Sequence, residues 1–220
     1  MHEHSNLSVG MRAGLPLLLP TLALGISFGV LARPVMGPAA PIAMSVLVFS
    51  GAAQFASLSI LAAGGGAAAA IVAGMLMNAR WLPMGFAVGP SLRGGPLARA
   101  AQGLTIVDAS FVIASRGDGS FDRGLLMGAT AVQAVAWTSG TVIGVVAGPV
   151  LGDPGSLGLD AIFVAFYLAL LLEEARHRRA VVAGLAGAAI AFALMPFTPA
   201  GVPIIAASAA ALVGLWRRSA

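Results

Sequence analysis

The sequence has few charged residues, no cysteine and no lysine, and each shortage excludes a class of protein. Only 9% of its 220 residues are charged and 59% are hydrophobic, whereas soluble domains are about one-quarter charged. Without cysteine there is no disulfide, thiolate metal site, iron–sulfur cluster or palmitoyl anchor. Without lysine there is no P-loop lysine to bind nucleotide phosphates and no lysine Schiff base. The chain is therefore neither a soluble domain nor a P-loop ATPase.

Apolar stretches long enough to cross a bilayer recur along the whole chain. A transmembrane helix needs about 20 apolar residues to span about 30 Å of hydrocarbon. Hydropathy and the positions of glycine and proline predict eight segments, at 14–32, 39–63, 67–89, 97–115, 123–147, 159–172, 180–197 and 202–216. We therefore expect an all-α polytopic membrane protein with about seven or eight transmembrane helices. We expect one transmembrane domain over 1–220 that begins with a polar cytoplasmic tail at 1–13.

The fourth segment, 97–115, is the least regular of the eight. It is short and it carries three polar residues, Gln102, Thr105 and Asp108. A straight crossing and a re-entrant or broken segment both remain open.

The twelve basic residues are all arginine and lie singly or in short clusters between the apolar segments. With eight crossings and the N-terminus inside, eight arginines fall on the cytoplasmic side and three outside. The inside set is Arg12, Arg116, Arg123, Arg176, Arg178, Arg179, Arg217 and Arg218, and the outside set is Arg33, Arg93 and Arg99. The positive-inside rule favours that orientation. The arginines predict topology, and no nucleic-acid partner is expected.

Glycine and proline are frequent inside the apolar segments, as in the pairs Gly25 with Gly29 and Gly140 with Gly144. Small residues four apart allow membrane helices to pack closely. Interrupted helices that expose backbone groups to a central site, as in many transporters, are the other interpretation. The two pairs are also compatible with a duplicated half.

Polar side chains cluster at two places in these segments. Ser50, Gln54 and Ser57 share one helix face at i, i+4 and i+7. This face either holds a neighbouring helix by hydrogen bonds or lines a substrate path.

Asn78 and Arg80 interrupt the third segment shortly before Pro83. An arginine at mid-bilayer costs roughly 2.5–3.5 kcal/mol, so Arg80 requires an interface, water or an anionic partner. Asp108 is the predicted partner, as a structural ion pair or as a pair that substrate or a proton breaks.

At four places the sequence resembles the AzlC family of branched-chain amino-acid permeases. Residues 50–55, Ser-Gly-Ala-Ala-Gln-Phe, resemble the family's A-G-A-[AS]-Q-F, and residues 77–80, Met-Asn-Ala-Arg, resemble its N/D-x-R-H stretch. Residues 103–108 are similar to its L-T-D-E, and residues 140–144 followed by 159–163 also match. Two departures exist: Trp81 stands where the family usually has histidine, and the acidic pair is reduced to Asp108.

The resemblance implies export of branched-chain or similar small apolar amino acids across a bacterial cytoplasmic membrane. It also implies dependence on a second small membrane protein of the AzlD type. The predicted substrate-binding residues are Ser50, Gln54, Asn78, Arg80, Thr105 and Asp108. Arg80 is expected to meet the substrate carboxylate, and Asp108 the ammonium group or a coupling proton.

Two other classes of function compete with a secondary transporter. An intramembrane enzyme would need a nucleophile with a base or a metal set, yet the three histidines lie in the N-terminal tail or a loop and no H-E-x-x-H occurs. No cofactor or metal is therefore expected. A non-transporting scaffold or chaperone subunit of a transport complex remains the alternative.

Overall fold

The computed structural model describes residues 2–79, 81–151, 178–198 and 202–210, together with four single positions between 168 and 175. Helices dominate these residues. No strand occurs among them, and Ser115 and Phe121 form one isolated antiparallel bridge. The prediction of an all-α membrane protein is confirmed.

The helices in chain order are α1 His2–Gly14, α2 Leu18–Met36, α3 Ala39–Leu47, α4 Gly51–Ala62, α5 Ala67–Asn78, α6 Trp81–Val88, α7 Pro96–Gly103, α8 Asp108–Ala114, α9 Arg123–Leu151, α10 Arg178–Leu194 and α11 Val202–Ser208. Short 3-10 turns at Leu15–Leu17 and Gly89–Ser91 follow α1 and α6. The chain forms two compact units. The first unit holds residues 1–51 and 78–152, and the second unit holds 52–77 and 153–220.

Two helices of the first unit are long and apolar enough to cross a membrane. They run over Asn6–Met36, which joins α1 to α2, and over Arg123–Val150 in α9. At 1.5 Å per residue both exceed the hydrocarbon thickness. Within the described residues the number of such spans is two, or up to four if each of two bent helix pairs counts as one. The predicted segment 159–172 lies almost wholly outside the described residues, and residues 2–13, predicted as a tail, form most of α1.

These two long helices lie side by side and run in the same direction. Residue numbers rise together along the contact, from Gly10 beside Leu125 to Gly25 beside Gly140. A Cβ atom added at Gly25 would stand 2.5 Å from the Trp137 carbonyl oxygen, so only glycine allows this approach. The predicted role of small residues in close helix packing holds here.

The contact is reciprocal and coincides with an internal repeat. Gly25 faces the backbone of Trp137 and Thr141, and Gly140 faces the backbone of Leu22 and Ile26, which are the same positions shifted by 115 residues. Residues 25–37 read GISFGVLARPVMG and residues 140–152 read GTVIGVVAGPVLG, so seven of thirteen positions are identical. A self-complementary contact of this kind has a local two-fold axis, and parallel repeats of this kind occur in other transporters.

The segment 97–115 is bent rather than straight. Helices α7 and α8 meet at 110°, with Leu104 to Val107 between them. The segment also returns to the place where it began: the Gln102 amide donates to the Arg93 carbonyl oxygen, and the Phe121 N–H donates to Ser91 Oγ over 3.2 Å. A re-entrant segment, left open by the sequence, is the form observed.

This return places Arg93 and Arg123 at the same end of the first unit. Arg93 was expected opposite Arg123, but both bind the Gln102 side chain, Arg93 through its backbone and Arg123 through Nε at 2.6 Å. Arg93 therefore lies at the end of the first unit where α9 begins. Arg33 lies at the other end, where its guanidinium donates to the Val145 carbonyl oxygen. The positive-inside rule assigns the arginine-rich end to the cytoplasm.

In the second unit, α4 and α5 form a hairpin. Ser57 Oγ donates to the Ala70 carbonyl oxygen over 2.8 Å, and Gly74 lies against Ser57. Buried apolar residues fill the contact, among them Ile60 and Ala73. The hairpin leaves the first unit after Gly51 and the chain re-enters that unit at Asn78.

Candidate functional site

Two helix breaks meet at a hydrogen bond between Ser50 and Asn78. The Ser50 hydroxyl donates to Asn78 Oδ1 over 2.6 Å, although 28 residues separate them. Ser50 lies immediately before α4 and is buried, while Asn78 is the last residue of α5 and is half-buried. The bond therefore joins the two positions between which the chain forms α4 and α5, and both positions belong to the first unit.

The first break results from the backbone at Phe49. The N–H groups of Val48 and Phe49 both donate to the Met44 carbonyl oxygen, which ends α3. Phe49 then adopts a positive φ of 45°, a conformation that non-glycine residues rarely hold. Such strain persists only where the surroundings impose it, and it is concentrated at functional sites.

The second break results from Pro83. In a continuous helix the residue at 83 would donate its N–H to the Ala79 carbonyl oxygen. Pro83 has no N–H, and its ring would clash with that carbonyl group. The Leu82 N–H donates to the Ala79 carbonyl oxygen instead, and α6 begins at Trp81, so that Pro83 occupies the first turn, where it is tolerated. Arg80, which stands inside this break, lies outside the described residues.

Trp81 adds a donor that sequence reasoning did not select. Its indole Nε1 is buried and, among the residues the structure describes, has no hydrogen-bond partner. Buried polar groups are nearly always paired, so an exception needs an explanation such as a missing ligand or water. The signal in the sequence is the departure from the family's histidine at this position, because tryptophan also carries an N–H donor.

Asn78 presents a second donor. Because its Oδ1 accepts the Ser50 hydroxyl, the amide is oriented and its Nδ2 group is the part that remains to donate. Asn78 and Trp81 stand three residues apart across the break, so two neutral donors belong to one short segment. Neutral donors are suited to a carboxylate in a low-dielectric region.

Ser45 lies near the end of α3, shortly before the break at Phe49. Its hydroxyl lies 2.8 Å from that of Thr141, and both side chains are buried. Thr141 also donates to the Trp137 carbonyl oxygen within α9. This polar contact holds α3 against α9 at Thr141, which is one of the residues that Gly25 contacts. It thereby also positions the backbone that leads from α3 to Ser50.

Gln54, Thr105 and Asp108 are the other predicted site residues that the structure describes. Gln54 is fully buried in the second unit. Thr105 belongs to the bend between α7 and α8, where its hydroxyl donates to the Gln102 carbonyl oxygen and its own carbonyl accepts Thr130 Oγ1. Asp108 begins α8 and its side chain is exposed. The structure thus brings together Ser50 and Asn78 of the predicted set, and the pairing of Asp108 with Arg80 stays a prediction.

No group of three or more histidine, aspartate or glutamate side chains that could hold a metal ion occurs among the described residues.

Comparison with known proteins places this arrangement in context. Residues 16–151 match the family model described as AzlC protein. An "Uncharacterized membrane protein" of Archaeoglobus fulgidus is 31% identical over 98% of this chain and 99% of its own length. The "Branched-chain amino acid transport protein AzlC" of Bacillus subtilis is 25% identical over 79% of this chain and 71% of its own. The "Inner membrane protein YgaZ" of Escherichia coli is 28% identical over 81% and 78%. No solved structure matches.

Proposed function

Because this chain belongs to the AzlC family, we propose that it is a secondary transporter subunit that exports branched-chain or similar small apolar amino acids. The observation that carries the proposal is the hydrogen bond between Ser50 and Asn78 at two adjacent helix breaks. The relative named as a branched-chain amino acid transport protein supports the substrate class. The related membrane and inner-membrane proteins support a multi-pass location in the cytoplasmic membrane.

The two helix breaks provide the polar groups that a zwitterionic substrate needs inside a membrane. Discontinuous helices place polar groups at mid-bilayer without exposing them to lipid. In the proposed complex the substrate carboxylate accepts hydrogen bonds from Asn78 Nδ2 and Trp81 Nε1, and Arg80 provides the positive charge. The aliphatic side chain of the substrate then needs only apolar surroundings.

Asp108 is the proposed site for the substrate ammonium group or for a coupling proton. It is the one acidic residue between Glu3 and Asp118, and it lies in the re-entrant segment. Its side chain is exposed and stands at the start of α8, beside the bend. Energy comes from an ion gradient in this proposal, because the chain has no P-loop lysine.

A small AzlD-like membrane protein is the proposed partner. The resemblance to AzlC supports this assignment, and co-purification of the two chains from one membrane tests it. The alternative function also involves a partner. In it, this chain is a scaffold or chaperone subunit of a transport complex and does not transport amino acids itself. Transport-family membership favours the transporter over that alternative and over an enzyme.

The proposal is tested by the cellular content of each amino acid when this chain and its partner are absent or overproduced. Overproduction is expected to lower intracellular valine, leucine and isoleucine, and deletion to raise them. Asp108→Asn is expected to abolish gradient-driven efflux. Exchange of internal for external valine is retained if Asp108 holds the coupling proton and is lost as well if Asp108 binds the ammonium group. Unchanged gradient-driven efflux by that variant would remove Asp108 from the mechanism.

A further inference from the structure

Each of the two long helices has a proline near its outer end, the end opposite the arginine-rich one. Pro34 lies in the last turn of α2 and Pro149 in the last turn of α9, and the repeat shift of 115 residues makes them equivalent positions. Inside a helix each residue donates its N–H to the carbonyl oxygen four residues earlier. Proline has no N–H, and its ring pushes that carbonyl group away. The carbonyl groups of Val30 and Val145, which are also repeat equivalents, therefore both lose their helical donor.

Arg33 donates to one of these two carbonyl groups. Its guanidinium Nη1 bonds the Val145 carbonyl oxygen across the contact between α2 and α9. Val145 is buried and Arg33 is half-buried. A buried acceptor without a donor costs more free energy than a typical hydrogen bond contributes. The guanidinium group on α2 thus replaces the N–H that Pro149 lacks on α9.

The repeat does not supply such a donor in the other direction. The repeat equivalent of Arg33 is Gly148, which faces Val30 but has no side chain. The replacement therefore serves α9 alone, and it depends on a single side chain.

The tight glycine packing between the two long helices ends before this point. A Cβ atom at Gly144 would collide with the α2 backbone, whereas a Cβ atom at Gly148 would stand 3.6 Å from Val30 Cα, which is an ordinary contact. Val150, two residues farther along α9, is 88% exposed. The Arg33 hydrogen bond therefore lies where close packing no longer holds α9 against α2.

We propose that Arg33 is a positioning residue that holds a hinge in α9 closed. While its guanidinium bonds the Val145 carbonyl oxygen, the last turn of α9 stays against α2. When this bond breaks, the turn bends away at Pro149 and the outer ends of the two helices separate, since long helices bend at proline. In the transporter proposed above, this separation opens the outer side for release of the substrate, and that step alone rests on the proposed function.

The first measurement is a double-mutant cycle on the full-length protein, by reversible unfolding in mixed micelles. Arg33→Met removes the donor and is expected to raise the unfolding equilibrium constant about tenfold, because the Val145 carbonyl group is then unsatisfied. Pro149→Ala restores an N–H at position 149, so in that background Arg33→Met is expected to change the constant by less than about twofold. Arg33→Lys keeps a charged donor and is expected to give a smaller loss than Arg33→Met, with the same rescue by Pro149→Ala.

The matched control for this cycle is Arg99→Met. Arg99 also donates its guanidinium to a backbone carbonyl oxygen, that of Gly89 over 2.7 Å, at an exposed position. The effect of Arg99→Met should be the same with and without Pro149→Ala. An effect of Arg33→Met that is equally large in both backgrounds would show that Arg33 does not replace the donor missing at Pro149, and it overturns the proposal.

The second measurement uses disulfide formation in this chain, which has no cysteine of its own. A Cβ atom at Gly148 lies within 4.0 Å of Val30 atoms, so Val30→Cys with Gly148→Cys is in disulfide range while the outer ends are together. Adding Arg33→Met is expected to slow oxidation of this pair at least about threefold. Adding Pro149→Ala as well is expected to restore the rate.

The control pair, Ser57→Cys with Gly74→Cys, lies inside the α4–α5 hairpin, where Gly74 contacts Ser57. Its oxidation rate should not respond to Arg33→Met. An unchanged rate for the pair at 30 and 148, or equal slowing of the control pair, overturns the hinge. Valine counterflow that continues after the pair at 30 and 148 is oxidised overturns the link to substrate release. The unfolding and oxidation rates need no amino-acid flux, so either proposal can fail without the other.

Discussion

Ser50 donates its hydroxyl hydrogen to Asn78 across two helix breaks that are 28 residues apart in the chain. The bond has three consequences for the site: it fixes the Asn78 amide, it joins the start of α4 to the end of α5, and it leaves the N–H donors of Asn78 Nδ2 for a ligand. Both partners belong to segments that resemble the AzlC motifs. The pair therefore combines a hydrogen bond that stabilises the fold with an amide group that we propose binds the substrate.

The pair should be energetically coupled. A double-mutant cycle with Ser50→Ala and Asn78→Ala is expected to give a coupling free energy of about 0.6–1.7 kcal/mol, the range for hydrogen bonds between membrane helices. The measurement is reversible unfolding in mixed micelles. The control cycle pairs Asn78→Ala with Ser59→Ala, because Ser59 donates to the Ala56 carbonyl oxygen of its own helix. Coupling of equal size in the control cycle would show that the Ser50–Asn78 bond has no specific contribution.

Trp81 makes opposite predictions for stability and for binding. Trp81→Phe keeps an aromatic ring and removes the buried Nε1 donor that lacks a partner in the described residues. Removing such a donor is neutral or stabilising, since leaving it unsatisfied costs about 1–3 kcal/mol. If the donor binds the substrate carboxylate, KM for valine rises about tenfold while the melting temperature is unchanged or higher. A lower melting temperature with unchanged KM would assign Trp81 to packing alone.

The glycine contact between the two repeats should tolerate no methyl group. Gly25→Ala brings Cβ to 2.5 Å from the Trp137 carbonyl oxygen, and forced overpacking costs about 1–3 kcal/mol. Gly85→Ala is the matched control, because a Cβ there meets nothing within 4 Å and alanine favours a helix interior. The measurement is the free energy of unfolding of each variant. Equal stability of Gly25→Ala and Gly85→Ala would mean that the long helices are farther apart than described.

The two long helices show what hydropathy predicts well. Their apolar length is a local property, so both segments appear in the sequence. The start of the span Arg123–Val150 was predicted closely, whereas Asn6–Met36 begins before the predicted segment 14–32, because α1 continues that helix towards the N-terminus. The glycine pairs also indicated close packing. The spacing of the glycines alone does not predict that the two helices run in the same direction or that each glycine pair packs against the other. Both features depend on which helix of the chain packs against which.

The side of the membrane on which Arg93 lies shows where hydropathy fails. A count of crossings treats each apolar segment as a straight span, and 97–115 instead bends by 110° and returns. Arg33 and Arg93 were predicted on the same side but lie at opposite ends of the first unit. The count therefore also fails between them, where α3 and α6 are each too short for a crossing. The partnership of Ser50 with Asn78 was equally hidden: both residues were selected for polarity, but a contact over 28 residues follows from the breaks at Phe49 and Pro83 rather than from helix periodicity.

Asp122 predicts an acid-range dependence of stability. Burial tends to raise the pKa of Asp122, but hydrogen bonds from Arg116 and the Leu125 N–H, together with the Arg116 charge, lower it below the ordinary value of 3.8. A carboxyl group with a lowered pKa in the folded state stabilises the fold above its unfolded pKa, and this stabilisation is lost as the pH falls through the folded pKa. The melting-temperature difference between wild type and Asp122→Asn should therefore be constant from pH 8 to about pH 5 and shrink below about pH 4.

The matched control for this titration is Asp118→Asn. Hydrogen bonds from the Ser120 hydroxyl and N–H also lower the pKa of Asp118, but this side chain is exposed in the loop before α9 and holds no helix end. Its removal is expected to change the melting temperature less. A difference for Asp122→Asn that grows as the pH falls would contradict the assigned contacts.

The central claim is that the pair of breaks at Ser50 and Asn78 binds the transported amino acid. The most direct measurement is counterflow of radiolabelled valine in proteoliposomes that contain this chain and its AzlD-like partner, for wild type, Asn78→Ala and Ser59→Ala. The account predicts saturable uptake in wild type and Ser59→Ala and a loss of about tenfold or more in Asn78→Ala, with equal amounts of folded protein. Wild-type counterflow in Asn78→Ala would contradict the account.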